Sequence, residues 1–261
     1  MIGFTCPSFQ RYVVCPKCNS IYNLEDCIIV QPGGKVASAT CRHLEYPNHP
    51  QAHYRKPCGF ELLRAVKRHK SKTSLEAKKQ YCYQHLSDAI GLLISRPDLL
   101  SKCEQWRSTF KNGDPELLSD IYDGRIWEEF QTLDGKEFLS LPNNLALGLG
   151  CDWFQPYKHV TYSIGVLFLV VFNLPRKERF KMENVILLGL IPGPAEPRKV
   201  MNSHLGPFVQ ELLEFWEGVA IWNKLSQSFV RVRLALICVM CDIPATRKVC
   251  GFAGHSATHG A

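Results

Sequence analysis

The sequence is short of long apolar runs. The longest, Ile164 to Phe172, is nine residues, less than half of the roughly 20 that a membrane-spanning helix needs. A spanning segment is therefore excluded. The opening residues, MIGFTCPSFQRYVV, have neither a basic start nor a continuous apolar stretch, so no secretory signal is read and the chain is expected to stay inside the cell. Cysteine is too sparse for a disulfide scaffold: twelve in 261 residues is about 4.6%, against the roughly 8% or more that such scaffolds use. Two catalytic motifs are also incomplete. Gly189 to Pro197 has the glycines of a phosphate loop without its Gly-Lys-Ser/Thr ending. Gly254-His-Ser-Ala-Thr258 carries Thr where a nucleophile elbow requires Gly. Neither a phosphate-loop enzyme nor a serine hydrolase is expected, and there is no internal repeat or low-complexity tract.

What is present is the composition of a folded protein, 46% hydrophobic and 21% charged. The net charge of +7 is uneven: residues 1–80 are net +8, residues 81–140 net −5 and residues 141–261 net +4. The first third is the part best suited to a polyanion, because clustered Lys and Arg gain free energy by releasing counterions from phosphates.

Five cysteines fall in the first 41 residues (Cys6, Cys15, Cys18, Cys27, Cys41) and Cys58 follows. In a reducing compartment such clustering points to metal. Cys15-Pro-Lys-Cys18 has the two-residue spacing of a zinc knuckle, and Cys41 and Cys58 would complete a tetrahedral site. Cys27, His43, His49 and His53 compete for the last two places. Four protein ligands leave zinc no open position, so its role would be structural. A RING reading of Cys41-x-His43 fails for want of further Cys-x2-Cys pairs downstream. The region 11–60 is too poor in apolar runs to build a core of its own without such a staple.

Residues 64–79 hold Arg64, Lys67, Arg68, Lys70, Lys72, Lys78 and Lys79 against Glu76 alone, and read as a basic linker. Leu86, Ile90, Leu93 and Ile94 then mark an amphipathic helix, with Pro97 as its end or restart. An acidic helical insert up to about Asp134 follows from this. From Asn143 the texture changes to short apolar runs, Leu145 to Leu149, Ile164 to Phe172, Val185 to Ile191 and Leu234 to Met240, which suit buried strands. Phe208, Leu212, Phe215 and Trp216 repeat the helical spacing between the last two. The expected order is strand, strand, strand, helix, strand.

Asp152 ends the first of these runs and Asp242 the last. A carboxylate at the end of a buried strand is costly unless it is paired or holds a cation. Two on adjacent strands could bind magnesium and support two-metal phosphoryl transfer, although an Asp beside Trp or Pro is more often a turn or helix cap.

Taken together, these residues resemble the transposases of CACTA-type (En/Spm-like) DNA elements, in the version found across fungal and animal genomes. The likeness runs from about Tyr12 to Gly260. It is carried by Cys15-Pro-Lys-Cys18, Asp120-Ile-Tyr-Asp-Gly-Arg-Ile-Trp-Glu-Glu-Phe130, Asp152-Trp-Phe-Gln-Pro-Tyr-Lys-His159, Asn173-Leu-Pro-Arg176, Ile191-Pro-Gly-Pro-Ala-Glu-Pro197, and Cys241-Asp-Ile-Pro-Ala245 with Cys250-Gly-Phe252. The resemblance implies an α+β chain: an N-terminal zinc-ribbon-like module followed by a ribonuclease H-like α/β domain with a mixed sheet. It assigns Asp152 and Asp242 as the first and second catalytic carboxylates, holding Mg or Mn. It also implies DNA, at transposon ends, as partner and the nucleus as location.

Family members carry a third acidic residue further on, whereas no acidic residue follows Asp242 here. Asp120, Asp123 and Asp134 precede the first core strand, where that role cannot be assumed. The expectation is thus a truncated copy, with an incomplete core that exposes apolar surface, cutting DNA poorly or not at all. Its divisions are 1–62 zinc-ribbon-like, 63–80 basic linker, 81–140 acidic helical insert and 141–261 catalytic core. The rival expectation is a non-catalytic, zinc-dependent nucleic-acid-binding protein derived from a transposase, using the zinc module with Arg64, Lys67, Arg68, Lys70 and Lys72.

Overall fold

The structure is a computed structural model that describes residues 9–67, 73–110, 114, 116–133, 135–194, 196–197 and 201–252. The N-terminal part is built from short strands: β1 (Phe9–Val14), β2 (Ile21–Tyr22), β3 (Ile28–Val30), β4 (Val36–Ser38), β5 (Leu63–Lys67) and β6 (Thr73–Ala77). Next come β7 (Gln80–Gln84), α1 (Leu86–Ile94), α2 (Leu99–Thr109), α3 (Arg125–Glu129), β8 (Thr132–Leu133) and β9 (Lys136–Glu137). The remainder holds β10 (Asn144–Phe154), β11 (Ile164–Val171), α4 (Arg176–Arg179), β12 (Ile186–Ile191), α5 (Met201–Glu217), β13 (Val219–Asn223), β14 (Ser228–Cys241) and α6 (Ile243–Val249).

One mixed sheet organises these elements, in the order β13-β14-β10-β11-β12-β7-β1-β2. All neighbouring pairs are antiparallel except β10 and β14, which run parallel. The expected order of strand, strand, strand, helix and strand is present as β10, β11, β12, α5 and β14, with β13 added as a hairpin partner of β14. A crossover through α5 is what lets β14 run parallel to β10, since a tight hairpin can join only antiparallel strands.

β10 is buried from Asn144 to Cys151 and reaches solvent at Asp152. Its odd-numbered residues, Leu145, Leu147, Leu149 and Cys151, join the main core with Leu86, Ile90, Leu93 and Ile94 of α1 and Phe208 and Phe215 of α5. Side chains alternate faces along a strand, and on the other face Ala146 packs with Trp127, Phe138 and Phe172. The glycines of Leu147-Gly-Leu-Gly150 serve that face. A Cβ on Gly150 would lie 2.1 Å from the Phe168 ring, so a residue without one is required there. As the spacing predicts, α1 stops at Ile94 and a new helix starts after Pro97, with Asp98 at a left-handed φ of 63°.

Two segments differ from the sequence-based expectation. The region read as a basic linker holds the β5–β6 hairpin, with Arg64 opposite Glu76, and Arg64 and Lys67 are exposed on it. Arg68, Lys70 and Lys72 lie outside the described residues. The region read as a helical insert begins instead with a strand of the main sheet: β7 pairs with β12 on one side and β1 on the other. The cysteine-rich part is therefore joined to the core through the sheet. Val14, Tyr81 and Tyr83 are buried in the main core.

Candidate functional site

Cys15 closes β1 and begins a tight turn in which its amide donates to the Ser20 carbonyl (2.9 Å) and its carbonyl accepts from Asn19 (2.9 Å), with Asn19 at φ 62°. That turn brings Cys18 back beside Cys15. Cys41 and Cys58 sit on two limbs of a loop held by Cys41 N to Phe60 O (2.8 Å) and Cys58 N to His43 O (2.8 Å). The sulfurs are 3.7 Å apart for Cys15 and Cys58 and 3.4 Å for Cys18 and Cys41, and all four lie within 4.8 Å of one another. Four thiolates about 2.3 Å from a tetrahedral ion have edges of about 3.8 Å. The group has the size and the soft sulfur chemistry to hold a metal such as zinc.

Cys27, His43, His49 and His53 do not belong to this group of four side chains. Cys27 donates to the Asn23 carbonyl (3.2 Å), and burial, aided by Asp26, pushes its thiol up to about 11. His49 Nδ1 accepts from the Gln51 amide (3.1 Å), and the His53 ring rests on Tyr54 at 4.0 Å. Burial raises the Cys15 and Cys41 thiols. Burial also opposes ionisation of Cys18, but hydrogen bonds involving Ser20, Cys41 and Cys15 outweigh it and bring that thiol below its ordinary value. A bound cation reverses the penalty on the buried pair, because a coordinating thiol is deprotonated outright. The Lys79 ammonium, donating to Asn19 Oδ1 (2.6 Å), stands close to the knuckle.

Asp152 and Asp242 come together through the parallel pairing of β10 and β14. The ladder ends with Cys151 opposite Cys241, so the two aspartates are the next residues on adjacent strands, at the same end of the sheet. Burial drives the Cys151 thiol up to about 12, with Cys241 and both aspartates adding to the rise, which places the two carboxylates within electrostatic reach of one thiol. Asp242 is also a helix cap: its Oδ1 accepts from Ala245 N (2.7 Å) at the start of α6. Asp152 Oδ1 accepts from Trp153 N (2.7 Å). Both aspartates are exposed, so the desolvation argument made from sequence does not apply. On α6, Lys248 lies over the Trp153 ring (5.5 Å) and pairs with Glu196, from the loop after β12.

The acidic residues before β10 have other tasks. Asp120 and Asp123 form a capping box, and the Asp120 side chain, fully buried, pairs with Arg179 at 2.8 Å. Asn173 bridges the start of β10, accepting from Ala146 N (2.7 Å) and donating to Asn144 O (3.1 Å). Asp134 lies outside the described residues. Sequence reasoning singles out neither Glu196 nor Lys248, because nothing in their spacing shows that the loop after β12 meets α6.

The architecture defines a class: a mixed α+β protein with a four-cysteine metal-type cluster and a carboxylate pair at the ends of parallel strands. Residues 115–261, over half of the chain, match the family described as Transposase family tnp2. The chain belongs to that family. No curated protein matches it. No helix among the described residues is long and apolar enough to cross a membrane.

Proposed function

We propose that the chain carries part of the strand-cleaving and strand-joining site of a DNA transposase of the CACTA type, a site that acts on transposon ends in the nucleus. The observation that carries this reading is the parallel register of β10 and β14, which sets Asp152 and Asp242 side by side. In this reading β12-β11-β10-β14 with α5 is a ribonuclease H-like unit, and the cysteine module is zinc-ribbon-like, with zinc on Cys15, Cys18, Cys41 and Cys58.

Asp152 and Asp242 offer hard oxygen ligands suited to Mg or Mn. When bound, such an ion polarises a phosphodiester and favours an attacking oxygen. The reaction class is attack of water, then of a DNA 3′-hydroxyl, on phosphorus, with loss of the opposite oxygen. The chain's own part is to orient: the N-cap bond to Ala245 fixes the Asp242 carboxylate, and the bond to Trp153 N fixes that of Asp152. Because the register brings two carboxylates together and no acidic residue follows Asp242 in residues 243–261, residues 1–261 alone are expected to cut weakly or not at all.

The test uses terbium as a stand-in for the hard cation, with Trp153 as its sensitiser. Terbium luminescence should titrate to saturation and be displaced by Mn, and both Asp152→Asn and Asp242→Asn should abolish it. Luminescence unchanged in both variants would sink the metal assignment. Brisk metal-dependent nicking by residues 1–261, lost in both variants, would overturn the expectation of weak cutting.

A further inference from the structure

The same end of the sheet holds more than the aspartates. β10, β14 and β12 finish there, while β11 and β7 begin there. The loop 155–163, the turn at 192–194 and the segment Lys78–Lys79 therefore all lie along one rim, followed by the cysteine module after β1. Between that module and the sheet is a cleft of about 720 Å³ whose lining includes Arg11, Arg64, Lys78, Lys79, Glu76 and Tyr162. Four cations face one carboxylate among the described lining residues. Glu76 is the ladder partner of Arg64, Lys78 pairs with Glu61 (3.1 Å) and Lys79 is turned to Asn19. Arg11 and Arg64 are exposed. Tyr162 is held in the wall: a Cβ on Gly193 would come within 2.9 Å of its ring, and Ser163 N donates to Pro194 O (3.0 Å).

We infer that this cleft binds the phosphate backbone of duplex DNA, which it guides along the rim toward Asp152 and Asp242; the inference rests on the proposed reading of DNA as substrate. Arginine is the side chain best matched to phosphate oxygens, through paired N–H donors. From β10 to β7 is three strand spacings, about 14 Å, well inside the roughly 34 Å of one duplex turn. One duplex can therefore meet the cleft and the aspartates together. Lys158, exposed on the loop between them, continues the positive track.

The test is fluorescence anisotropy of a labelled duplex of arbitrary sequence, with the full zinc-loaded chain, across a series of salt concentrations. The Arg11→Gln/Arg64→Gln variant should bind more weakly and flatten the slope of log K against log salt by about 2, since each arginine neutralises one phosphate. Arg11→Lys/Arg64→Lys, which keeps both charges, should retain most of the slope. An unchanged slope in the glutamine variant, or no duplex binding by the wild-type chain, overturns the inference. The Asp152→Asn/Asp242→Asn variant separates the two readings. If it binds like wild type while the glutamine variant does not, the cleft stands whatever the nicking and terbium assays give. If binding instead depends on the aspartates and not on the arginines, the cleft falls and the carboxylate reading survives.

Discussion

Replacing Asp120 by alanine should cost far more than its place in a short turn suggests. Its side chain is fully buried, and the Arg179 guanidinium 2.8 Å away is only 5% exposed. Arg179 also donates to the Leu174 carbonyl (2.7 Å) and lies between the rings of Tyr122 and Phe172 at 5.8 and 5.5 Å. At an effective dielectric of about 20, the attraction at this distance is about 6 kcal/mol before desolvation. Removing one partner leaves a buried charge facing apolar rings, for a net loss of about 3–5 kcal/mol. For 261 residues, the unfolding entropy makes that about 5–9 °C in Tm. Asp120→Ala/Arg179→Met should recover much of either single loss, because it removes both charges. Differential scanning calorimetry of the wild type, the two single variants and the double variant measures all of this. A Tm within about 2 °C of wild type for Asp120→Ala, with no recovery in the double variant, would refute the reasoning.

Further outcomes are expected for the cysteine module and for Glu211. Purified chain should carry one zinc, lost on chelation or in Cys41→Ser; with zinc bound, Cys15, Cys18, Cys41 and Cys58 should resist alkylation at pH 8. Cys27 should stay slow even after chelation as long as the fold persists, because its thiol, pushed up to about 11, is neutral there; mass spectrometry of labelled peptides reads both. Glu211 accepts from Tyr83 Oη (2.7 Å), His85 Nδ1 (2.5 Å) and Leu86 N (2.6 Å), tying α5 to the start of α1. Glu211→Ala should lower stability by about 3 kcal/mol through the donors it leaves unpaired, and a urea midpoint close to wild type would contradict that.

Much of the fold is encoded locally. Cys15-Pro-Lys-Cys18 is a two-residue turn visible in any window that contains it, and the runs from Leu145, Ile164, Val185 and Leu234 are strands because they are too short and too β-branched or glycine-broken to be anything else in a core. Asp152 and Asp242 stand out as the first charges after apolar runs. Choosing Cys41 and Cys58 over Cys27 and the histidines needs the tertiary structure, which gathers their sulfurs with those of Cys15 and Cys18 within 4.8 Å, since no spacing rule selects them. The stretch 63–80 reads as a linker because Leu63-Arg-Ala-Val-Lys67 has no clean apolar–polar alternation, and a hairpin of that length is stabilised by its neighbours more than by its own pattern. Gln80-Tyr-Cys-Tyr-Gln84 alternates plainly, with Tyr81 and Tyr83 inward, yet its partner strand begins over 100 residues later.

The sequence by itself determined the strands and helix from Leu145 onward, the Cys15-x2-Cys18 pair, the carboxylates and the excess of positive charge in the first third, since each is read from residues close together in the chain. Only the tertiary structure decided that β7 joins the cysteine module to the sheet, that Asp120 is spent on Arg179, and that the aspartates, Tyr162, Arg11 and Arg64 share one rim. Those are facts about strand direction and register between distant segments, set by which apolar faces can be buried together, and no local pattern encodes them.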